Sequence, residues 1–375
     1  MFKSNGILIG WFVAFITGLS LWSLLSKDVS FSEAENRYLQ QLPAWNWDRV
    51  VSGEFTKEAE KYVSDQFIGR DYWVGLKSDM ERLRQRKENN GIYFGKDDYL
   101  LEKAEAPVSD IVKDNVEGIN QLARTMPHIP IRMLLVPNSV KVLDDKLPAY
   151  AVPYDQGLTI KNVQEWLEPQ VQWLDVLGTL RSYTGSAKDN LYYKTDHHWT
   201  IWGAYAAYQA LCKQMGWNPV EVSWEKVTDR FQGSYYSKAN IRRSVSDEIV
   251  LPHFAGELLA SIIIQDDGRK LNSMYAREHL DKKNKYDVFL DGNHALITIR
   301  SNVKNNKKLL VVKDSYAHCF VPFLLNHYEE IHMLDLRYYN LKVRDYIKEA
   351  GITEILLLYN VSTFSQDPTI KLIGR

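Results

Sequence analysis

Apolar positions follow three regimes along the chain. From Gly6 to Leu25 they form an unbroken run, GILIGWFVAFITGLSLWSLL, with no charge in it. A helix of that length is about 30 Å long, enough to cross the hydrocarbon core of a bilayer. From Phe31 to about Lys103 the pattern turns polar and helix-prone. Between Gly53 and Arg86 the apolar positions (Phe55, Ala59, Tyr62, Val63, Phe67, Trp73, Leu76, Met80, Leu83) recur at irregular helical spacing. Asn89-Asn90-Gly91 then marks a turn, and two short apolar runs around Lys96-Asp97-Asp98 predict a β-hairpin. From about Ile111 apolar runs alternate with amphipathic stretches. They predict helices over 114–126, 200–215 (with Thr200 as N-cap), 317–328 and 341–350, with Pro322 kinking or delaying the third. They predict strands over Ile131–Val136, 171–176, 309–312, Glu330–Leu334 and 354–359. Strands alternating with helices read as an α/β fold with a mainly parallel sheet, whose chemistry collects at the C-terminal strand ends. A polar, less regular insert over about 231–304 reads either as a substrate-facing excursion or as a surface elaboration.

Composition narrows the function classes. The 375 residues allow one large domain or two ordinary ones. Lys and Arg number 46 against 47 Asp and Glu, a net charge of −1, without the basic excess of a nucleic-acid binder. With 45% hydrophobic and 25% charged residues the chain is an ordinary globular protein, not a disordered one. Two cysteines, Cys212 and Cys319, exclude a disulfide-dense scaffold and a four-cysteine zinc site, and leave their own pairing open. Aromatic residues reach 12%, which suits sugar stacking and an aromatic-rich core equally. Lys3 ahead of the apolar run favours a cytoplasmic N-terminus, whereas Lys27 after it votes the other way. An uncleaved signal anchor over 1–27 is preferred to a cleaved signal peptide, because no A-x-A-like site follows the run. Both readings export the rest of the chain: a lead-in over 28–105 and a catalytic domain over 106–375.

Two runs carry chemistry. The first, Lys194-Thr195-Asp196-His197-His198-Trp199, sets a carboxylate, two imidazoles and an indole just before a helix. A serine nucleophile needs a base to take its proton, and the base needs a carboxylate to fix its tautomer. Asp196 with either His198 or His197 supplies both; the residues alone leave the choice open. The competing interpretation is a helix-capping loop. A metal site of Asp196, His197 and His198 is disfavoured, because adjacent loop histidines seldom both reach one ion. The second run, Val311-Val312-Lys313-Asp314-Ser315, exposes a serine at the end of a strand, where it is either a nucleophile or an N-cap. Gly292 and Asn293, within Leu290-Asp291-Gly292-Asn293-His294, are the first oxyanion candidates, and Asn138, after Pro137, is the second. Trp199 and Trp202 are candidate sugar platforms with core packing as the competing role; His318 reads as a surface or packing residue and Cys319 as core.

The D-H-H-W and K-D-S segments resemble the DHHW family, which is similar to SGNH-hydrolase-like O-acetyltransferases acting on alginate. Further fragments agree: Glu35-Asn36-Arg37, Leu42-Pro43, Gly53-Glu54-Phe55, Asp65-Gln66-Phe67, Arg70, Gly95-Lys96-Asp97, Leu134–Pro137 and Phe231-Gln232-Gly233-Ser234. The resemblance implies an SGNH-hydrolase-like, circularly permuted three-layer fold behind one transmembrane helix. It implies Ser315 as nucleophile, His198 as base and Asp196 as its orienter, in the chain order Asp–His–Ser. Lys313 departs from the Gly that many SGNH members carry before Asp-Ser. The implied function is acetyl transfer onto an extracytoplasmic polysaccharide without a bound metal or cofactor. A membrane-bound O-acyltransferase would be the acetyl-donating partner. The alternatives are a carbohydrate esterase with the same triad and a non-catalytic polysaccharide assembly protein.

Overall fold

A computed structural model describes residues 2–32, 34–35, 37–241, 245–256 and 258–375; Asn36, one of the fragments above, lies outside the described residues. Two compact units emerge: residues 1–90 with 237–244, and residues 91–236 with 245–375.

The smaller unit opens with a helix over Phe2–Leu25. Its segment Gly6–Leu25 has a mean hydropathy of 2.0 and is nowhere buried, and among the described residues it is the one helix long and apolar enough to cross a membrane. It is a candidate anchor or signal sequence. The irregular stretch after Gly53 resolves into two helices, Glu54–Asp65 and Arg70–Leu83. They are separated at Gly69, whose φ of +65° is costly for a residue with a Cβ.

The larger unit is built on one eight-stranded sheet. Its strands, numbered along the chain, are β1 (Ile131–Val136), β2 (Val171–Trp173), β3 (Leu259–Ile264), β4 (Lys270–Leu271), β5 (Leu296–Ser301), β6 (Lys308–Lys313), β7 (Glu330–Leu334) and β8 (Glu354–Asn360). They lie in the order β4-β3-β5-β7-β6-β8-β1-β2. The run from β7 to β2 is parallel, whereas β3, β4 and β5 add antiparallel pairs at the other edge. Parallel strands with both faces covered read as continuous apolar runs, as these do. Leu309 and Val311 of β6 and Leu356 and Leu358 of β8 enter one core. Their alternates Leu310, Val312, Ile355 and Leu357 enter a second core on the opposite face. Helix Ile201–Met215 packs on the first face, and helices Ser109–Thr125, Gln156–Trp166 and Val343–Ala350 on the second, giving three layers. Thr200 caps its helix, its Oγ1 accepting from the Trp202 and Gly203 amides.

Several predicted elements change. The strand expected over 171–176 stops at Trp173, because the Asp175 carboxylate accepts from the Gly178 amide and starts helix Val176–Arg181. The helix expected over 317–328 is one α-turn, Ala317–Phe320, followed by a 3₁₀ segment, Val321–Leu324, since Pro322 has no N–H to continue the α pattern. The insert over 231–304 is no surface elaboration: it supplies β3, β4 and β5, and its strand Asp247–Phe254 pairs antiparallel with Val222–Phe231. The hairpin of Ile92–Phe94 with Leu100–Glu102 forms as expected and belongs to the larger unit.

Candidate active site

The C-terminal ends of β6, β8 and β1 lie side by side, and β6 runs directly into Asp314 and Ser315. Asp314 fixes this turn. Its carboxylate accepts from the Tyr316 amide (2.9 Å) and from the amide and side-chain nitrogens of Asn360 (2.7 Å each) at the end of β8. Ser315 is left half-buried, and its amide N–H has no hydrogen-bond partner among the described residues.

The Asp196–Trp199 loop meets this turn across 117 residues of sequence. His198 Nε2 lies 2.8 Å from Ser315 Oγ, and His198 Nδ1 lies 2.6 Å from Asp196 Oδ1. Asp196 Oδ1 also accepts from the His198 amide at 3.0 Å, so one carboxylate holds both the ring and its backbone. Both side chains are buried. His198 is enclosed on both faces. The His197 ring lies 3.7 Å from it on one side, tilted 38°; the Tyr286 ring stacks 3.7 Å away at 9°. The Trp199 indole N–H donates to the Tyr316 carbonyl at 3.0 Å, tying the histidine loop to the serine turn.

Electrostatics separate the two histidines. Burial, then the charge of His197, pushes His198 down to about 4 against the attraction of Asp196. Burial acts on His197 in the same sense, but the Asp196 carboxylate wins and raises it. Burial would raise Asp196; the two imidazoles hold it well below the usual carboxylate range. His197 Nδ1 pairs with Ser234 Oγ at 2.7 Å, whereas His198 is the ring that reaches Ser315. The Asp196, His197 and His198 ligand atoms lie within 4.8 Å of one another, but both His198 nitrogens already have partners.

Other expected site residues fall in different places. Asn138 lies at the strand ends, but its amide donates to Tyr316 Oη and Asn360 Oδ1 (3.2 Å each), while its Oδ1 accepts from Gln156 and Ser362. That network braces the sheet edge and occupies the amide donors. Asn293 is exposed, and its Oδ1 accepts from Lys313 Nζ and Arg337 Nη2 at 3.4 Å each, which turns its N–H donors away from the two cations. Gly292 follows Leu290 and Asp291, and all three have positive φ. Trp199 is wholly buried against Tyr316 and Phe320 and presents no platform, whereas Trp202 remains 36% exposed beside Trp224. Cys212 and Cys319 are both buried and unpaired.

Tyr286 and Asp247 had no clear signal in the sequence, and the roles of Gly233-Ser234 and Lys313 emerge only from the geometry. Tyr286, the ring on His198, comes from the insert; its hydroxyl lies 3.3 Å from both the Ser315 carbonyl and Cys319 Sγ. Gly233-Ser234 supports Asp196 from behind, through the Ser234 amide to Asp196 Oδ2 at 2.8 Å. Asp247 anchors the start of the histidine loop, accepting from the Lys194 and Thr195 amides at 2.7 and 2.8 Å; burial pushes it up to about 6. Lys313 does not disturb the serine turn, because its ammonium points inward to His318 (2.8 Å) and Asp335 (3.1 Å).

A mostly parallel sheet carrying a serine turn and an Asp–His loop at the C-terminal ends of its parallel strands defines an α/β protein. The DHHW protein family model matches residues 130–334, and the chain belongs to that family. Among solved structures, a DHHW family protein from Eubacterium siraeum superposes with a TM-score of 0.66 at 21% identity, covering 76% of this chain and 95% of that one. Bacillus cereus PatB1 with a sulfonyl adduct gives 0.63 at 22%, covering 74% and 98%. The O-acetyltransferase domain of Pseudomonas putida AlgJ gives 0.46 at 14%, covering 73% and 92%. No curated protein matches the chain.

Proposed function

We propose that the protein is an extracytoplasmic O-acetyltransferase that esterifies a hydroxyl of a cell-surface or exported polysaccharide. The observation that carries this reading is the continuous hydrogen-bonded series Ser315 Oγ–His198–Asp196, at 2.8 and 2.6 Å. Ser315 Oγ attacks the acyl carbonyl while His198 Nε2 takes its proton, and Asp196 stabilises the imidazolium. The proton passes to the leaving group and the acetyl stays on Ser315 as an ester. A sugar hydroxyl then attacks the ester and gives its proton to the same nitrogen; the Ser315 Oγ–acyl bond breaks, Oγ takes the proton back from Nε2, and the sugar leaves acetylated. The Ser315 amide N–H and the Asn293 side chain are the donors that would meet the oxyanion. In this reading Asp196, His198 and Ser315 are catalytic, His197 is not the base, and the fold is the permuted SGNH-like one. Gly6–Leu25 is a membrane anchor, and the acetyl donor is supplied by a membrane-bound O-acyltransferase partner.

The test is single-turnover mass spectrometry of the purified protein with an activated acetyl ester, with and without oligosaccharide acceptors. The expected result is a mass gain of one acetyl group on Ser315, discharged faster by an acceptor sugar than by water. A sulfonyl fluoride should modify the same serine, in line with the adduct carried by the Bacillus cereus neighbour. Unchanged acetyl transfer by Ser315→Ala refutes the mechanism; discharge to water alone assigns the site to an esterase.

A further inference from the structure

The proposed chemistry makes no use of the lead-in fragments that resemble the family. Within the smaller unit they build a single ion network. Arg37 grips Asp65 with both terminal nitrogens (2.9 and 2.6 Å), the Gln40 amide donates to the same carboxylate (2.9 Å), and Arg70 pairs with Glu35 at 2.8 Å. Next to it, Gln66 clasps the chain that leaves the apolar helix. Its Oε1 accepts from the Val29 amide (2.9 Å), and its Nε2 donates to the Val29 carbonyl (3.0 Å). Tyr62 Oη adds a bond to Asp28 at 3.0 Å.

This network fixes a chain segment against the apolar helix itself. The Ile68 amide donates to Ser23 Oγ at 3.0 Å. Ser23 is in the last turn of Gly6–Leu25, about 3 Å of helix rise from its end. At such a depth a free amide is costly, and here the Ser23 hydroxyl oxygen accepts from it. Ile68 therefore sits at the level where the helix leaves the hydrocarbon. Two aromatic side chains follow directly: Tyr72 and Trp73 are 56% and 41% exposed, and their rings contact edge-on at 5.7 Å. Tyrosine and tryptophan are the side chains that settle in the headgroup layer.

We infer that residues 66–73 rest in the headgroup layer of the membrane crossed by Gly6–Leu25, with Tyr72 and Trp73 as interfacial anchors held in place by the Glu35–Arg37–Asp65–Arg70 network. This rests on reading Gly6–Leu25 as a membrane span. The full chain is reconstituted in phosphatidylcholine/phosphatidylglycerol vesicles carrying an environment-sensitive fluorophore at Tyr72→Cys or, separately, at Leu24→Cys. The native cysteines are buried and stay unlabelled under native conditions. The expected result is blue-shifted emission at both positions and quenching at position 72 by shallow nitroxide lipids. Iodide quenching at position 72 should be several-fold weaker than for free dye. Free iodide access at position 72 with lipid quenching at position 24 overturns the inference and leaves the span intact. Loss of lipid quenching at position 24 overturns the span reading and the inference with it.

Discussion

Gly233→Ala tests how His198, the proposed base, is held. A Cβ at this position would lie 2.3 Å from Asp196 Cβ and Oδ2 and 2.6 Å from its Cγ, whereas ordinary contact begins at 3.4 Å, so about 1 Å of movement is required. Asp196 has little room to move: Oδ1 holds the His198 ring and amide, and Oδ2 holds the Ser234 amide. Displaced by about 1 Å, the 2.6 Å bond to His198 Nδ1 stretches beyond hydrogen-bond range. Misplacement of that size costs on the order of 100-fold in rate, and outright loss of the orienting carboxylate about 10⁴-fold. Overpacking costs about 1–3 kcal/mol of stability, which leaves a domain of this size folded. The assay is turnover of a chromogenic acetyl ester, with circular dichroism and thermal unfolding as the check on fold. The expected outcome is a 10²–10⁴-fold fall in kcat with KM little changed. Ser234→Ala, which keeps the amide and loses only the hydroxyl on His197, should lose far less. A folded Gly233→Ala protein within about threefold of the parent kcat would refute the idea that this backbone supports the base.

Changes of pH and substitutions at His197 and Tyr286 address the same ring. Because His198 is held down to about 4, the base is neutral above that pH, and kcat/KM should fall only as pH drops through about 4. His197→Gln removes a neighbouring charge that lowers His198, so the acid limb of the pH profile should move upward; an unmoved or lowered limb contradicts the coupling. Tyr286→Phe keeps the stack and loses the bonds of the hydroxyl, and should cost at most a few-fold in rate. Tyr286→Ala opens a cavity beside the base, with an expected loss of about 3–5 kcal/mol in thermal unfolding and a larger fall in kcat. Wild-type stability and rate in Tyr286→Ala would show that the stacked ring does not position His198.

Much of the larger unit was legible because its parallel strands are continuous apolar runs: Ile131–Val136 and Glu330–Leu334 match their predicted bounds, and β6 and β8 extend theirs by a residue or two. The serine turn and the Asp–His loop stood out because chemistry-bearing residues clustered at element ends. The insert was harder to read. Its strands alternate, with Ile262, Ile264, Ile297 and Ile299 wholly buried, but such short signals do not say which sheet they join. Lys313 looked out of place in the turn because sequence gives no direction for a side chain; its partner Asp335 becomes a neighbour only once β6 and β7 pair. The roles of Gly233 and Tyr286 likewise depend on long-range approach, which local pattern does not encode.

The two rings that sandwich His198 have a consequence for the order of events. An imidazole packed at 3.7 Å on both faces can slide in its plane but has no room to swing out of it. Nε2 is therefore held in one direction, toward Ser315 Oγ. Under the proposed mechanism, the departing donor fragment and the incoming hydroxyl must both exchange their proton there, in turn. The first must vacate before the second enters, so the proposed acyl-serine intermediate implies double-displacement kinetics, and a surplus of either partner should compete with the other.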